Sequence, residues 1–260
     1  MLKTRHDLLS PEQTLLLGHD HFTPAHLHDE GHLVYPASGV LSMLTDAGSW
    51  IAPWNRAVWI PGGFMHQHRA HGNTDMRIVF MGERFATLLP ERPAVLAVSP
   101  LAREATLALT GQRRRAAAVR DRLRMVIIDE LTVTPEQPLH LPEPHNDRLR
   151  AVTRLVERDL ADPASLRELG HRVGASERTL SRLFQAETGM SFRQWRTQLR
   201  IHHALLLLTD GVSVLDTATA CGWSNPSTFI DAFTALVGVT PGNYQRTLHA
   251  PAGTGQERWG

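Results

Sequence analysis

Between Ser165 and Tyr244 the chain repeats one set of landmarks, and this repeat narrows the possible folds more than any other feature. Gly170 and Gly174 recur as Ala218 and Gly222, 48 residues on; Phe184, Gly189 and Trp195 recur as Phe233, Gly238 and Tyr244, 49 residues on. Self-similarity at a fixed offset marks one supersecondary unit used twice. Each copy reads as helix, tight turn, helix. Ser165-Leu-Arg-Glu168 has the form of a capping box, in which hydroxyl and carboxylate satisfy the amides at a helix start. Leu166, Leu169 and Val173 supply an apolar stripe, Gly170 admits a second helix at close range, and Gly174 ends the first helix. Ser176 caps the next helix, which carries Leu180, Leu183 and Phe184 at spacings of three and four. In the second copy Ser213-Val-Leu-Asp216 starts the first helix, Ala218 is the contact residue and Gly222 makes the turn. Asn225-Pro226 opens the last helix, with proline where no amide is needed. One long helix over Phe192–Leu208 is expected to join the copies.

A helix–turn–helix with a small contact residue is the geometry that sets a helix into the DNA major groove. A purely structural helical module can have short glycine turns as well, but two linked copies favour the DNA-binding reading. The stretches Leu180-Ser-Arg-Leu-Phe184, Glu187-Thr-Gly-Met-Ser-Phe192, Ala218-Thr-Ala-Cys-Gly-Trp-Ser-Asn225 and Gly238-Val-Thr-Pro-Gly-Asn-Tyr244, with Phe233, resemble the AraC/XylS family of bacterial transcription regulators. The resemblance runs from Asn146 to Thr247. It implies an all-α domain over residues 145–248, whose two rigidly linked subdomains read successive major-groove segments of promoter DNA.

On the first recognition helix Arg178, Ser181 and Arg182 lie opposite the apolar stripe, with Thr179 beside them. Arginine can read guanine O6 and N7 through two hydrogen bonds, and matching positions in the family touch bases. On the second helix the exposed candidates are Ser227, Thr228, Ile230 and Asp231. Asp231 stands where an arginine is common in the family; a carboxylate can accept from cytosine N4 or cap an amide, but it repels phosphate. Charge separates the copies. Residues 174–200 carry five arginines (178, 182, 193, 196 and 200) against Glu177 and Glu187; residues 213–237 carry only Asp216 and Asp231. Phosphate contacts dominate non-specific affinity, so the first unit, with Arg196 among its contacts, should do most of the binding.

At 260 residues, with 42% hydrophobic and 20% charged residues, the chain has room for two domains with cores. The single cysteine, Cys221, rules out a disulfide framework. No apolar run approaches the ~18 residues of a membrane span, and the start lacks a signal-peptide core, so a cytoplasmic protein is expected.

Residues 8–85 show short apolar runs bounded by turn residues: Leu33–Tyr35, Val40–Thr45, Trp50–Ala52, Ala57–Ile60 and Met76–Met81, with Asp46-Ala-Gly48 as a hairpin turn. Such spacing suggests a β-sandwich or barrel. Within it lie His26-x-His28-x₃-His32-x₆-Gly39 and Pro61-x-Gly63-x₂-His66. Residues two apart on a strand share a face, so His26 and His28 can enter one cavity, joined by His32 and His66. Converging imidazoles hold Zn, Ni, Cu or Fe. The pattern resembles the two cupin motifs and implies a jelly-roll-like effector or metal-sensing domain over residues 1–95. It departs from them at His32, where metal-binding cupins usually carry Glu. The same histidines could instead line a pocket for an organic effector. His19, His21, His68 and His71 read as surface residues.

Residues 96–144 turn helical over Leu101–Leu109 and Ala116–Leu131, broken at Gly111. The stripe Leu123, Val126, Ile127 and Leu131 either packs on the chain's own barrel or, as the family resemblance favours, forms a homodimer. Arg113-Arg-Arg115 reads as a solvated turn, Thr134–Pro144 as a proline-rich interdomain linker, and residues 249–260 as a disordered tail. The leading expectation is a regulator that senses a small molecule or metal ion, dimerises through its central helices and binds double-stranded promoter DNA. The rival is a metal-dependent cupin enzyme, such as a dioxygenase or isomerase, carrying a DNA-binding appendage. It lacks motif-level acid–base residues, since Asp29 and Glu30 read as a solvated turn.

Overall fold

The computed structural model describes residues 4–5, 11–45, 48–133 and 139–248. Asp46 and Ala47 of the expected hairpin turn, part of the expected linker and the expected tail lie outside them. The described residues up to 142 contain nine strands: β1 (Thr4–Arg5), β2 (Glu12–Leu17), β3 (Phe22–Leu27), β4 (Gly31–Thr45), β5 (Gly48–Pro53), β6 (Arg56–Ile60), β7 (His66–Met81), β8 (Ala94–Ala97) and β9 (His140–Pro142). All five apolar runs fall inside strands.

Two long strands organise the sheet. Residues 31–36 of β4 pair with β6 on one side and the end of β7 on the other; residues 40–44 pair with β5 and the start of β7. Register shifts between Pro36 and Val40 mark the corner, where bulges let a strand bend from one layer into the next. The pairing is antiparallel apart from β1 with β3 and ends at β1, β2, β8 and β9. Among the described residues the expected cupin-like barrel therefore takes the form of an open two-layer sheet. Side chains alternate as the pleat requires. Leu33, Tyr35, Trp59, Val79 and Met81 face outward to the helices, while Val34, Val58, Ile60, Ile78 and Phe80 fill the space between layers.

Three helices lie among these strands: α1 (Glu83–Ala86) between β7 and β8, and α2 (Pro100–Thr110) and α3 (Ala117–Val133) between β8 and β9. Ser99 caps α2 by accepting from the Ala102 amide at 3.1 Å. In the α3 stripe Ile127 and Leu131 are buried against the outer face of the sheet, with Leu123 and Val126 part-buried alongside. Of the two readings of the stripe, packing on the chain's own sheet is the one that Ile127 and Leu131 follow. Arg124 clamps the same helix, ion-paired with Glu12 and donating to the Phe80 carbonyl at 3.2 Å. The expected linker is corrected too. Its residues 140–142 are β9, which pairs with β5, and the His140 ring stacks on Trp50 at 4.2 Å.

Among the described residues seven more helices follow: α4 (Asp147–Arg158), α5 (Leu166–Val173), α6 (Glu177–Thr188), α7 (Phe192–Thr209), α8 (Val214–Ala220), α9 (Pro226–Val237) and α10 (Pro241–Leu248). The expected capping box opens α5, with the Ser165 amide 2.7 Å from the Glu168 carboxylate. A side chain at Gly170 would bring its Cβ within 2.5 Å of the Ala175 carbonyl oxygen, so only glycine lets the turn fold back here. Gly174 ends α5 in the left-handed region, at φ 66°. The two helix pairs, α5–α6 and α8–α9, flank α7, as the repeat requires. Among the described residues no helix is long and apolar enough to cross a membrane.

Candidate nucleic-acid interface and histidine cluster

The α6 helix turns Leu180 and Phe184 fully inward and leaves Arg178, Ser181 and Arg182 exposed on the other face. Thr179 is half-buried and works locally: its hydroxyl lies 2.9 Å from that of Ser176, whose oxygen also accepts the Thr179 amide at 3.1 Å. On α9, Phe229, Phe233 and Val237 are buried while Ser227, Thr228, Ile230 and Asp231 are exposed. Asn225 caps this helix through the Ser227 amide at 2.8 Å.

The arginines of the first pair divide into two groups. Arg178, Arg182 and Arg193 are exposed. Arg196 is half-buried; it donates to the Ala164 carbonyl and lies over the Phe192 ring at 4.3 Å. Arg200 donates to the Leu160 carbonyl from Nη2 at 2.7 Å and from Nε at 3.0 Å. Both bind the segment between α4 and α5 to α7, and burial lowers the pKa of each. Glu187 has a local role as well, accepting from the amides of His145 and Asn146 at 2.8 and 3.1 Å. Sequence reasoning missed these three roles, since a charge gives no sign of which carbonyl or amide the fold will bring to it.

In the sheet, β3, the start of β4 and the start of β7 bring the predicted histidines together at one end. One nitrogen from each of His26, His28 and His66 lies within 4.8 Å of the others. The His32 ring centre is 4.8 Å from that of His28 and 4.9 Å from that of His66. His26 Nδ1 is 2.7 Å from the Pro24 carbonyl oxygen, and His66 Nδ1 is 2.9 Å from that of Phe64. Each carbonyl sets the tautomer with the proton on Nδ1, making Nε2 the lone-pair nitrogen, the arrangement that orients a metal-binding imidazole. Burial, then the neighbouring His66 and His28, holds the His32 pKa well below its ordinary value, so His32 is neutral. His68 is the residue that sequence reasoning misplaced. It is buried, with its ring 5.9 Å from His26 and neither nitrogen hydrogen-bonded. Burial, with His26 next, pushes its pKa down to about 3. Its spacing of two from His66 on β7 was the available signal.

A helix-turn-helix domain family matches residues 169–247, from within α5 through α9 and most of α10. The HTH-type transcriptional regulator NimR of Escherichia coli (strain K12) is 35% identical over 230 residues, which cover 87% of this chain and 84% of NimR. The chain belongs to the AraC family of transcriptional regulators. Its role is thus regulatory and DNA-binding, not enzymatic. This AraC-family chain is also 34% identical over 110 residues to the HTH-type transcriptional regulator RipA of Corynebacterium glutamicum, across 42% of this chain and 32% of RipA. A crystal structure of a Chromobacterium violaceum regulator with an AraC-type DNA-binding domain is 27% identical, covering 40% of this chain and 94% of that one, with a TM-score of 0.38.

Proposed function

We propose that this AraC-family regulator is a cytoplasmic sensor whose β domain binds a divalent transition metal and whose helix pairs read promoter DNA in sequence. The histidine cluster carries the sensing half of this reading. Buried rings converge there, two of them held by backbone carbonyls in the tautomer that a metal requires. His26, His28 and His66 would hold the ion, with His32 as the fourth donor; all-imidazole donor sets suit Zn, Ni, Cu or Fe. An ion held there would tie β3, the turn after it, β4 and β7 together through these imidazoles.

In the DNA half, Arg178 and Arg182 of α6 read bases, with Ser181 beside them. Ser227, Thr228 and Asp231 of α9 face the next segment. Thr179 and Arg196 contribute by shaping α6 and by holding α7 to the α4–α5 segment. A homodimer would use the outer faces of α2 and α3, where Leu101, Met125 and Val133 remain exposed. Elemental analysis of untagged protein tests the sensing reading. Near one ion per chain is expected, lost in His28→Ala and His66→Ala and kept in His71→Ala. Protein that can be loaded with none of the four ions would overturn it.

One observation favours an organic effector instead. A cavity of about 360 Å³ opens between β4, β5, β9, α4 and α7, lined by Trp50, Ile51, Leu199 and His202 among others. A small molecule there would touch both the β domain and the helix that joins the two pairs.

A further inference from the structure

The two helix pairs are attached to the rest of the molecule in different ways, and the second, which shares an apolar cluster with the β domain, is also held there by hydrogen bonds to the carbonyl that ends it. Val237 ends α9, and its oxygen accepts two hydrogen bonds from the β5–β6 turn: Asn55 Nδ2 at 3.0 Å and Arg56 Nη2 at 2.8 Å. Arg56 also donates from Nη1 to the Asn55 carbonyl at 3.0 Å, which stiffens the turn. Both residues are buried, at 8% and 6% exposure. A cation at a helix C-terminus faces the negative end of the helix dipole, so the guanidinium suits the place it occupies. Gly238 follows in the left-handed region at φ 84°, and a Cβ on it would lie 3.3 Å from Arg56 Nη2. The contact is close and specific to this turn. Two further contacts reach the end of α7, just before the second pair: His19 to Asp210 at 3.3 Å, and Gly72 close against Thr209.

Phosphate contacts normally fix a protein's register on the duplex, and base contacts then specify sequence. From Ser213 to Val237 there is no lysine or arginine, and the two charged residues are acidic. The second pair therefore has no cationic side chain to hold its recognition helix on the phosphate backbone, only neutral hydroxyl, amide and backbone N–H donors, which are weaker anchors for an anion. The β domain supplies an orientation instead. We propose that Arg56 and Asn55, which lie outside the DNA-binding half of the chain, are positioning residues that set α9 for base reading. This rests on the reading of α9 as a DNA-reading helix.

The test uses the full-length chain and a site selected by it from random double-stranded DNA. Affinity is measured on that site and on two versions, one scrambled in the segment protected by α6 and one in the segment protected by α9. Wild-type protein should lose about tenfold on scrambling the α9 segment, in line with one or two base contacts. Arg56→Leu should bind the intact site and the α9-scrambled site almost equally, while keeping its full loss on scrambling the α6 segment. Arg56→Lys, which restores a donor, should recover most of the discrimination, and Asn55→Ala, which removes only one bond, should lose part of it. A merely structural role would weaken binding to all three DNAs together. Equal weakening on all three, unchanged discrimination in both Arg56→Leu and Asn55→Ala, or tighter reading of the α9 segment in either would overturn the proposal. Wild-type protein indifferent to the α9 segment would instead overturn the reading of α9 on which it rests.

Discussion

The pairs α5–α6 and α8–α9 share a sequence pattern, turn glycines and helix lengths, yet they occupy different places in the molecule. The first has a core of its own, built from Leu149, Val152, Leu166, Leu180, Phe184 and Trp195, with Leu141 of β9 at its edge. The second shares a continuous apolar cluster with the β domain: Phe229, Phe233 and Tyr244 belong with Leu41, Trp50, Ile60 and Leu205. The first presents arginines to solvent; the second presents hydroxyls and a carboxylate. A unit with its own core and its own positive charge can find DNA independently. A unit without either depends on the domain it is packed against. Duplicating a fold thus leaves the division of labour to whatever each copy packs on.

The largest effects should come from the two cores. Phe184→Ala and Phe233→Ala should each cost about 3–5 kcal/mol, but in different regions. Hydrogen exchange by segment should show Phe184→Ala loosening α4 to α6 alone, and Phe233→Ala loosening α9 together with β4 and β5. The same regional pattern for both would break the comparison.

Next in size is base reading. Arg182→Ala should cost about 1–3 kcal/mol on the specific site and relax preference at one position, measured as the difference between specific and random DNA. Equal loss on both would make Arg182 a phosphate contact, leaving sequence reading to other residues.

A comparable effect is expected at the joint itself. His202 of α7 is buried beside Leu139 and His140, and burial, then the nearby His203, pushes its pKa down to about 3 from 6.5. The folded state thus binds this proton more weakly than the unfolded state does. Stability from keeping the ring neutral is complete above pH 6.5 and falls as the pH drops towards 3, by about 1.4 kcal/mol per unit. Urea unfolding at pH 7.5 and 5.5 should show wild type losing about that much more than His202→Met. An equal loss would place the acid sensitivity elsewhere.

The smallest effect concerns charge on the second pair. Asp231→Arg should tighten binding to random DNA and steepen its salt dependence by about one phosphate contact. An unchanged slope would mean that this face of α9 lies away from the backbone.

Much of this molecule could be read in advance, for local reasons. Caps, turn glycines and the spacing of apolar residues act within a few positions of one another, so Ser165 with Glu168, the stripe of α6, the two apolar runs of β4 and the end of β7 were legible. So was the convergence of His26, His28, His32 and His66, because strand periodicity and loop spacing place them together. His68, two residues from His66, was open to the same argument, and the chain's richness in histidine obscured it.

What the sequence by itself determined was therefore the repeat, the family it resembles, the identity of the exposed residues on α6 and α9, and the imbalance of charge between them. Only the tertiary structure decided that Ile127 and Leu131 of the α3 stripe are buried on the sheet, that residues 140–142 join that sheet as β9, and that Arg196 and Arg200 hold α7 to its neighbours. It also decided that Arg56 reaches the end of α9. These outcomes join residues 32 to 181 positions apart. A charge or an apolar stripe states what kind of partner it needs, and only packing of the whole chain determines which partner comes within reach.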